Sequence, residues 1–237
     1  MNDNKTVLIT GSSTGIGFAC LRFFLKKKWN VLAHYYEDTE KFVKLINEEN
    51  VESIKCDFSK EDDFYSFIDK IKSKEVSALV NSSGCYDNSH TSSNRIQSAK
   101  NIFQINTIAP IMIAETVMDK MKKLNYGRIV SLSSIGVKFG SNMENIFYGS
   151  SKIGIEAATR SLAREGSKYN ILVNAIRPGI TDTEFYKRTG KGLTERVKMI
   201  PLKRAAEPVE MANFIYYLSS EKNTYITGQV LPITGGE

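Results

Sequence analysis

Residues 6–17 read Thr-Val-Leu-Ile-Thr-Gly-Ser-Ser-Thr-Gly-Ile-Gly, an apolar run that breaks directly into glycines. A short aliphatic run without polar alternation suits a strand buried on both faces, as in a parallel sheet. Gly11, Gly15 and Gly17 then allow a turn in which backbone can approach a ligand, and residues 18–28 carry apolar side chains at helical spacing. Strand, glycine turn and helix in that order open a nucleotide-binding βαβ unit. The helix start offers N–H groups and a positive dipole end to a pyrophosphate. The spacing is Gly-x-x-x-Gly-x-Gly rather than the commoner Gly-x-Gly-x-x-Gly, and a tight βα turn without a ligand has the same local chemistry.

The alternation continues to the end of the chain. Further strands are predicted at 30–35, 51–56, 77–80, 128–132, 172–176 and 229–233. Helices are predicted at 40–49, from the acidic 61–63 onward, and at 96–122, 146–168 and 208–219. Pro110 falls inside the 96–122 helix and should bend or split it. Residues 85–94 read as loop and 181–204 as a polar stretch with short helices. The pattern predicts an α/β fold: a Rossmann, doubly wound parallel sheet of about seven strands with helices on both faces. One domain covers 1–237, with a small substrate loop at about 181–204.

Several function classes are disfavoured. Cys20, Cys56 and Cys85 are too scattered for a disulfide framework, and with His34 and His90 as the only histidines no metal site is expected. The net charge of +6 could attract an anionic cofactor, but no nucleic-acid reader motif accompanies it. No apolar run reaches membrane-spanning length, and a strand starting at Thr6 leaves no room for a signal peptide, so a cytoplasmic protein is expected.

Tyr148 and Lys152 stand four residues apart on a predicted helix, hence on one face. An ammonium beside a phenol favours the phenolate, which would suit the tyrosine to proton transfer near neutral pH. The pair alone occurs by chance and is equally a solvated helix face. Ser133 and Ser134 follow the fifth strand, and alternation points one of them elsewhere.

Taken together, these motifs resemble the short-chain dehydrogenase/reductase family over nearly the whole chain. The matching stretches are Thr10 to Gly17, Asp57, Asn81-Ser-Ser-Gly84, Asn106, Ser134, Tyr148, Lys152 and Pro178 to Thr183. The family usually has Asn-Asn-Ala-Gly where this chain has Asn81-Ser-Ser-Gly84, a change in a tight turn beside the cofactor. The resemblance implies a nicotinamide cofactor held by Gly11, Ser13, Thr14, Gly15, Ile16, Gly17, Tyr35, Tyr36, Asp57, Phe58, Asn81, Gly84, Tyr148, Lys152, Pro178, Gly179, Thr181 and Thr183. Asp57 would contact the adenine and the segment from Pro178 the nicotinamide amide. By the same resemblance Tyr148 donates the proton in reduction. Lys152 lowers the tyrosine pKa and holds the nicotinamide ribose, Ser134 bonds the substrate oxygen, and Asn106 shapes its helix and places a relay water.

No acid stands at the end of the second strand before Glu37, which disfavours strict NAD dependence. Thr14 occupies the place where NADP-preferring relatives often carry arginine, and Lys41 is a nearby cation. NADP(H) is therefore the favoured cofactor, with NAD(H) as the alternative. Residues 200–204, 208–212, 225–229 and 234–236 resemble the 3-oxoacyl-[acyl-carrier-protein] reductase branch. That resemblance implies reduction of a 3-oxoacyl thioester or similar small ketone, an acyl carrier protein as a partner, and a homotetramer. Asn125 and Tyr169 replace the docking arginines of that branch, with Lys122, Lys123 and Lys168 nearby. A small polyol or sugar dehydrogenase, or a catalytically silent NADP-binding sensor or scaffold, are the alternatives.

Overall fold

The computed structural model describes residues 5–86, 94–140, 143–188 and 192–237. Most of the predicted 85–94 loop, including His90, lies outside the described residues, as do parts of the expected substrate loop. In chain order the elements are β1 (Thr6–Thr10), α1 (Gly15–Lys26), β2 (Asn30–Tyr35), α2 (Glu40–Leu45), β3 (Val51–Lys55), α3 (Glu61–Lys72) and β4 (Ala78–Asn81). Next come α4 (Arg95–Phe103), a π-helical turn (Gln104–Ile108), α5 (Ala109–Leu124), β5 (Gly127–Leu132), α6 (Gly136–Phe139) and α7 (Ile146–Gly166). A 3-10 turn (Ser167–Tyr169), β6 (Ile171–Pro178), α8 (Glu184–Arg188), α9 (Leu193–Met199), α10 (Pro208–Ser219) and β7 (Val230–Ile233) complete the chain.

Among the described residues seven strands form one sheet in the order β3-β2-β1-β4-β5-β6-β7, and every neighbouring pair is parallel. Side chains alternate across it, as the pleat requires. Leu8, Leu32, Leu79, Ile129 and Val173 pack on one face with Phe64, Phe67 and Ile71 of α3 and Ile113, Val117 and Met121 of α5. Val7, Ile9, Val31, Val80, Val130 and Ile176 face the other way, against Cys20, Leu21 and Phe24 of α1 and Met211, Ala212 and Ile215 of α10. Both faces are therefore covered, which is why the strands read as unbroken apolar runs. The chain reverses its direction of travel across the sheet between β1 and β4, and the turns following those two strands flank the resulting crevice.

Three elements depart from expectation. Helix α1 starts at Gly15, inside the glycine turn, rather than at residue 18. Helix α2 is capped by the Thr39 hydroxyl but ends at Leu45 rather than 49, since Glu48 and Glu49 would oppose the negative end of its dipole. The 96–122 helix neither breaks nor simply bends at Pro110: α4 passes into α5 through the π turn. Pro110 has no N–H to give the carbonyl of Asn106 four residues back, and the changed bonding register accommodates it.

Candidate active site

The glycine turn is built by close backbone approach. Gly11 has φ +67°, and a side chain there would place its Cβ 2.9 Å from the Ser83 Cα. The β1 and β4 turns thus touch, and Thr10 locks them: its hydroxyl oxygen accepts the amides of both Ser82 and Ser83 at 3.1 Å. Thr14 precedes α1 in extended conformation, and among the described residues no side chain caps this helix. The N–H groups of its first turn, at Gly15, Ile16 and Gly17, therefore point their partial positive charge into the crevice. Ser13 is buried, and its carbonyl accepts the Thr39 hydroxyl at 3.1 Å. These features fit a pyrophosphate group of a dinucleotide.

Tyr35 packs on Phe42, and Tyr36 is 56 % exposed at the end of β2. Lys55, paired with Tyr35 across the sheet, bonds Asp38 at 2.6 Å and lies 5.7 Å from the Tyr35 ring. It is a cation at this corner that sequence reasoning overlooked. Asp57 accepts both the amide and the hydroxyl of Ser59, at 3.0 and 2.7 Å. The Phe58 ring is buried against His34, which leaves its backbone as the part able to meet a ligand. The Asn81 amide is buried and donates to the Pro110 carbonyl and Ser131, tying β4 to α5 and β5. Its side-chain oxygen has no partner among the described residues.

The chemical end lies beside the carboxyl ends of β4, β5 and β6. Asn106, in the π turn, is 1 % exposed. It accepts the Cys85 amide at 2.8 Å and donates to the Cys85 carbonyl and the Ser151 hydroxyl. This brings the turn after β4 to α7. Gly84 keeps the same corner open: a Cβ there would lie 3.4 Å from Asn106 Oδ1 and 3.5 Å from Lys152 Nζ. Ser133 turns away, donating to buried Glu156 at 2.6 Å, and Glu156 in turn holds both guanidinium arms of Arg177 at 2.7 Å. Ser134 is the serine that shares a hydrogen bond with the Tyr148 hydroxyl. Lys152 is 4 % exposed and donates to the Leu132 carbonyl at 3.0 Å.

In the free chain burial governs both groups of the pair. Burial pushes the Tyr148 phenol up to about 12, against the opposing hydrogen bond from Ser134. Burial also pushes Lys152 down to about 8. The ammonium is spent on the Leu132 carbonyl and sits 5.8 Å from the ring centre of Tyr148, so desolvation outweighs Coulomb attraction. A protonated phenol and an amine that titrates near 8 are the result.

Pro178 ends β6, and the amide of Gly179 after it is bonded to the Ile233 carbonyl at 2.8 Å. A side chain on Gly179 would collide with the Thr234 backbone at 2.8 Å. Thr181 donates to the Gly179 carbonyl, and Thr183 to that of Thr181. A Cβ on Gly15 would come within 3.3 Å of the Thr183 methyl, so this segment arches over the glycine turn. Tyr86 and Phe185, both unremarked in the sequence, form an aromatic wall beside Tyr148, with ring centres 5.3 and 6.2 Å from it. Their signal would have been adjacency: Tyr86 follows the β4 turn and Phe185 the Pro178–Thr183 segment. Lys122 and Lys168 share the carboxylate of Glu165, at 3.4 and 3.1 Å. No cluster of metal-ligand side chains occurs among the described residues, and no described helix is long and apolar enough to cross a membrane.

Residues 11–237 match a family model described as enoyl-(acyl carrier protein) reductase. The chain is 30% identical over 233 residues to the 3-oxoacyl-[acyl-carrier-protein] reductase of Aquifex aeolicus, covering 98% of this chain and 87% of that one. Among solved structures it is similar to ElxO with NADP bound, at TM-score 0.85 and 28% identity, covering 98% of each chain. It is also similar to 4-hydroxyisoleucine dehydrogenase complexed with NADH, at TM-score 0.88 and 25% identity, again covering 98% of each chain. A parallel sheet of this strand order, with a glycine turn at its switch point and serine, tyrosine and lysine at the ends of β5 and α7, completes the case: the chain belongs to the short-chain dehydrogenase/reductase family.

Proposed function

We propose that this protein reduces a small ketone or 3-oxoacyl thioester to the alcohol with NADPH. The observation that carries the reading is the Tyr148 hydroxyl, hydrogen-bonded to Ser134 and kept protonated by burial, beside the aromatic wall of Tyr86 and Phe185. A nicotinamide dinucleotide bound along the glycine turn supplies the hydride. As hydride reaches the carbonyl carbon, charge gathers on the oxygen, and a donor aimed at that oxygen lowers the barrier. Tyr148 gives its proton there, while Ser134 positions the oxygen. Lys152 and the segment from Pro178 to Thr183 orient the ribose and nicotinamide end, and Asn106 holds the β4 turn against α7. The NADPH preference is supported by Lys55 and by the absence of an acid in β2 (Asn30–Tyr35); in the free chain Lys55 bonds Asp38.

The test is NADPH consumption with acetoacetyl-CoA, acetoacetyl-carrier protein, ethyl acetoacetate and a panel of sugars. Turnover is expected with the keto compounds, and faster with NADPH than with NADH at equal concentration. Because Glu165 offsets part of the charge of Lys122 and Lys168, the carrier-bound form should gain less than about tenfold in kcat/KM over the CoA thioester. NADPH binding without turnover of any carbonyl would favour the sensor reading instead.

Lys152 gives a pH signature. Below pH 8 the free enzyme carries the ammonium; above it the amine is neutral. An anionic ligand favours the charged form, so binding at higher pH must take up a proton. The NADPH dissociation constant should be flat below pH 8 and rise by up to about tenfold per pH unit above it. Fluorescence titration of wild type and Lys152→Gln checks this, since the variant should lack the break.

A further inference from the structure

His34 sits where three turns around the crevice meet, and the chemistry of tyrosine and lysine makes no use of it. We propose that His34 is a positioning residue for the cofactor, a neutral imidazole of fixed tautomer that clamps the turns after β1, β3 and β4 into one cradle. This rests on the reading that the glycine turn holds a dinucleotide.

The imidazole is 3 % exposed. Its Nδ1 accepts the Gly11 amide at 3.2 Å and lies 3.4 Å from the Ser83 hydroxyl. Its Nε2 lies 3.1 Å from the Cys56 carbonyl. A carbonyl can only accept and an amide N–H can only donate, so one tautomer satisfies both: hydrogen on Nε2, lone pair on Nδ1. The main chain of the same residue adds a further tie, since the His34 carbonyl accepts the amide and the hydroxyl of Ser12 at 2.9 and 2.8 Å. Phe58 stacks on the ring at 3.9 Å and 9°, and Phe67 meets it edge-on at 5.1 Å. Stacking fixes the ring plane, and the two hydrogen bonds fix its rotation within that plane.

Each partner belongs to, or adjoins, a segment assigned to the cofactor. Gly11 opens the pyrophosphate turn, Cys56 precedes Asp57 and Phe58, and Ser83 lies between Asn81 and Gly84. The Gly11 amide is turned inward to the imidazole, which leaves the uncapped amides at the start of α1 to meet an anion. Burial pushes the His34 pKa down to about 4, so the ring stays neutral and keeps its acceptor through the physiological range. Protonation would set an N–H against the Gly11 N–H.

The experiment compares His34→Phe, which keeps the stack and loses both hydrogen bonds, with His34→Gln, which keeps a planar donor and acceptor. NADPH binding by the wild-type protein is established first, so failure of the cofactor reading is seen separately. By fluorescence titration H34F should bind NADPH about tenfold more weakly, with kcat at saturating NADPH little changed and H34Q recovering most of the affinity. In parallel, 15N NMR of the wild type should show the Nε2–H tautomer, with imidazole resonances that move on NADPH addition. Unchanged affinity in H34F, a loss confined to kcat, or an Nδ1–H tautomer would overturn the proposal. Should H34F fail to fold, the wild-type spectrum decides: Nε2–H with a shift on NADPH addition supports it, and an Nδ1–H or an unmoved resonance overturns it.

Discussion

Tyr148→Phe should lower carbonyl reduction by at least about a thousandfold, the upper part of the range for removing a positioned general acid. The ring remains, so its packing against Tyr86 and Phe185 is kept and the fold should not suffer. NADPH affinity should change by less than about tenfold, because one hydrogen bond at most is lost from the cofactor side. Steady-state rates and a binding titration on one preparation separate these effects. Turnover retained within tenfold of wild type would mean that the proton comes from elsewhere. Burial matters to the size of the effect. With the phenol pushed up to about 12, the donor is fully loaded at neutral pH, and its loss cannot be made up by adjusting pH.

Gly17→Ala should be strongly damaging for a single added methyl. Its Cβ would lie 2.1 Å from the carbonyl oxygen of Gly11 and 2.8 Å from the carbonyl carbon, both backbone atoms. No rotamer relieves that contact, so α1 must move away from β1, and the turn opens with it. Overpacking against backbone costs about 3 kcal/mol, and alanine's better helix propensity returns only about 1. For a chain of this size a net loss of roughly 2 kcal/mol lowers Tm by about 4–8 °C. NADPH binding should weaken far more than stability alone suggests, since the displaced amides are those proposed to meet the pyrophosphate. Gly154→Ala is the control: its Cβ meets the Thr107 side chain, at 2.8 Å, rather than backbone, so the smaller cost is re-seating that side chain and its bond to the Ser151 carbonyl. Calorimetry on both variants tests the contrast, and equal Tm losses would show that the glycine turn is not held by this contact.

The strands were legible because both faces of the sheet are covered. Val7, Leu8 and Ile9 are each buried, so the sequence shows a continuous apolar run where a half-exposed strand would alternate. Tyr148 and Lys152 were legible because a helix converts a spacing of four into a shared face. What could not be read was depth. Whether charge or desolvation governs Tyr148 depends on how far α7 sits below the surface, a property of packing rather than of spacing. The π turn was hidden for a related reason: Pro110 announces a missing N–H, but not whether the helix breaks or changes its bonding register. The position of His34 could not be read either, since its partners Gly11, Cys56 and Ser83 are scattered through the chain and meet only when the sheet forms. Lys55, likewise, comes beside Tyr35 only through the pairing of β2 with β3.

The π turn at Gln104–Ile108 also has a meaning in the currency of insertions and deletions. Relative to an α-helix it holds one residue too many, so deleting a single residue there would heal the helix into regular form. Healing would restore the ordinary register, with no bond to gain at Pro110, and would be ruinous besides. Each residue of an α-helix turns by about 100°, and everything on one side of the repair would rotate by that angle relative to the other. Asn106, now wedged between Cys85 and Ser151, would swing off α7 while Ile113 and Val117 stayed in the core. The length of this helix, more than the identity of any residue in it, therefore stores the angle between the protein's core and its chemistry.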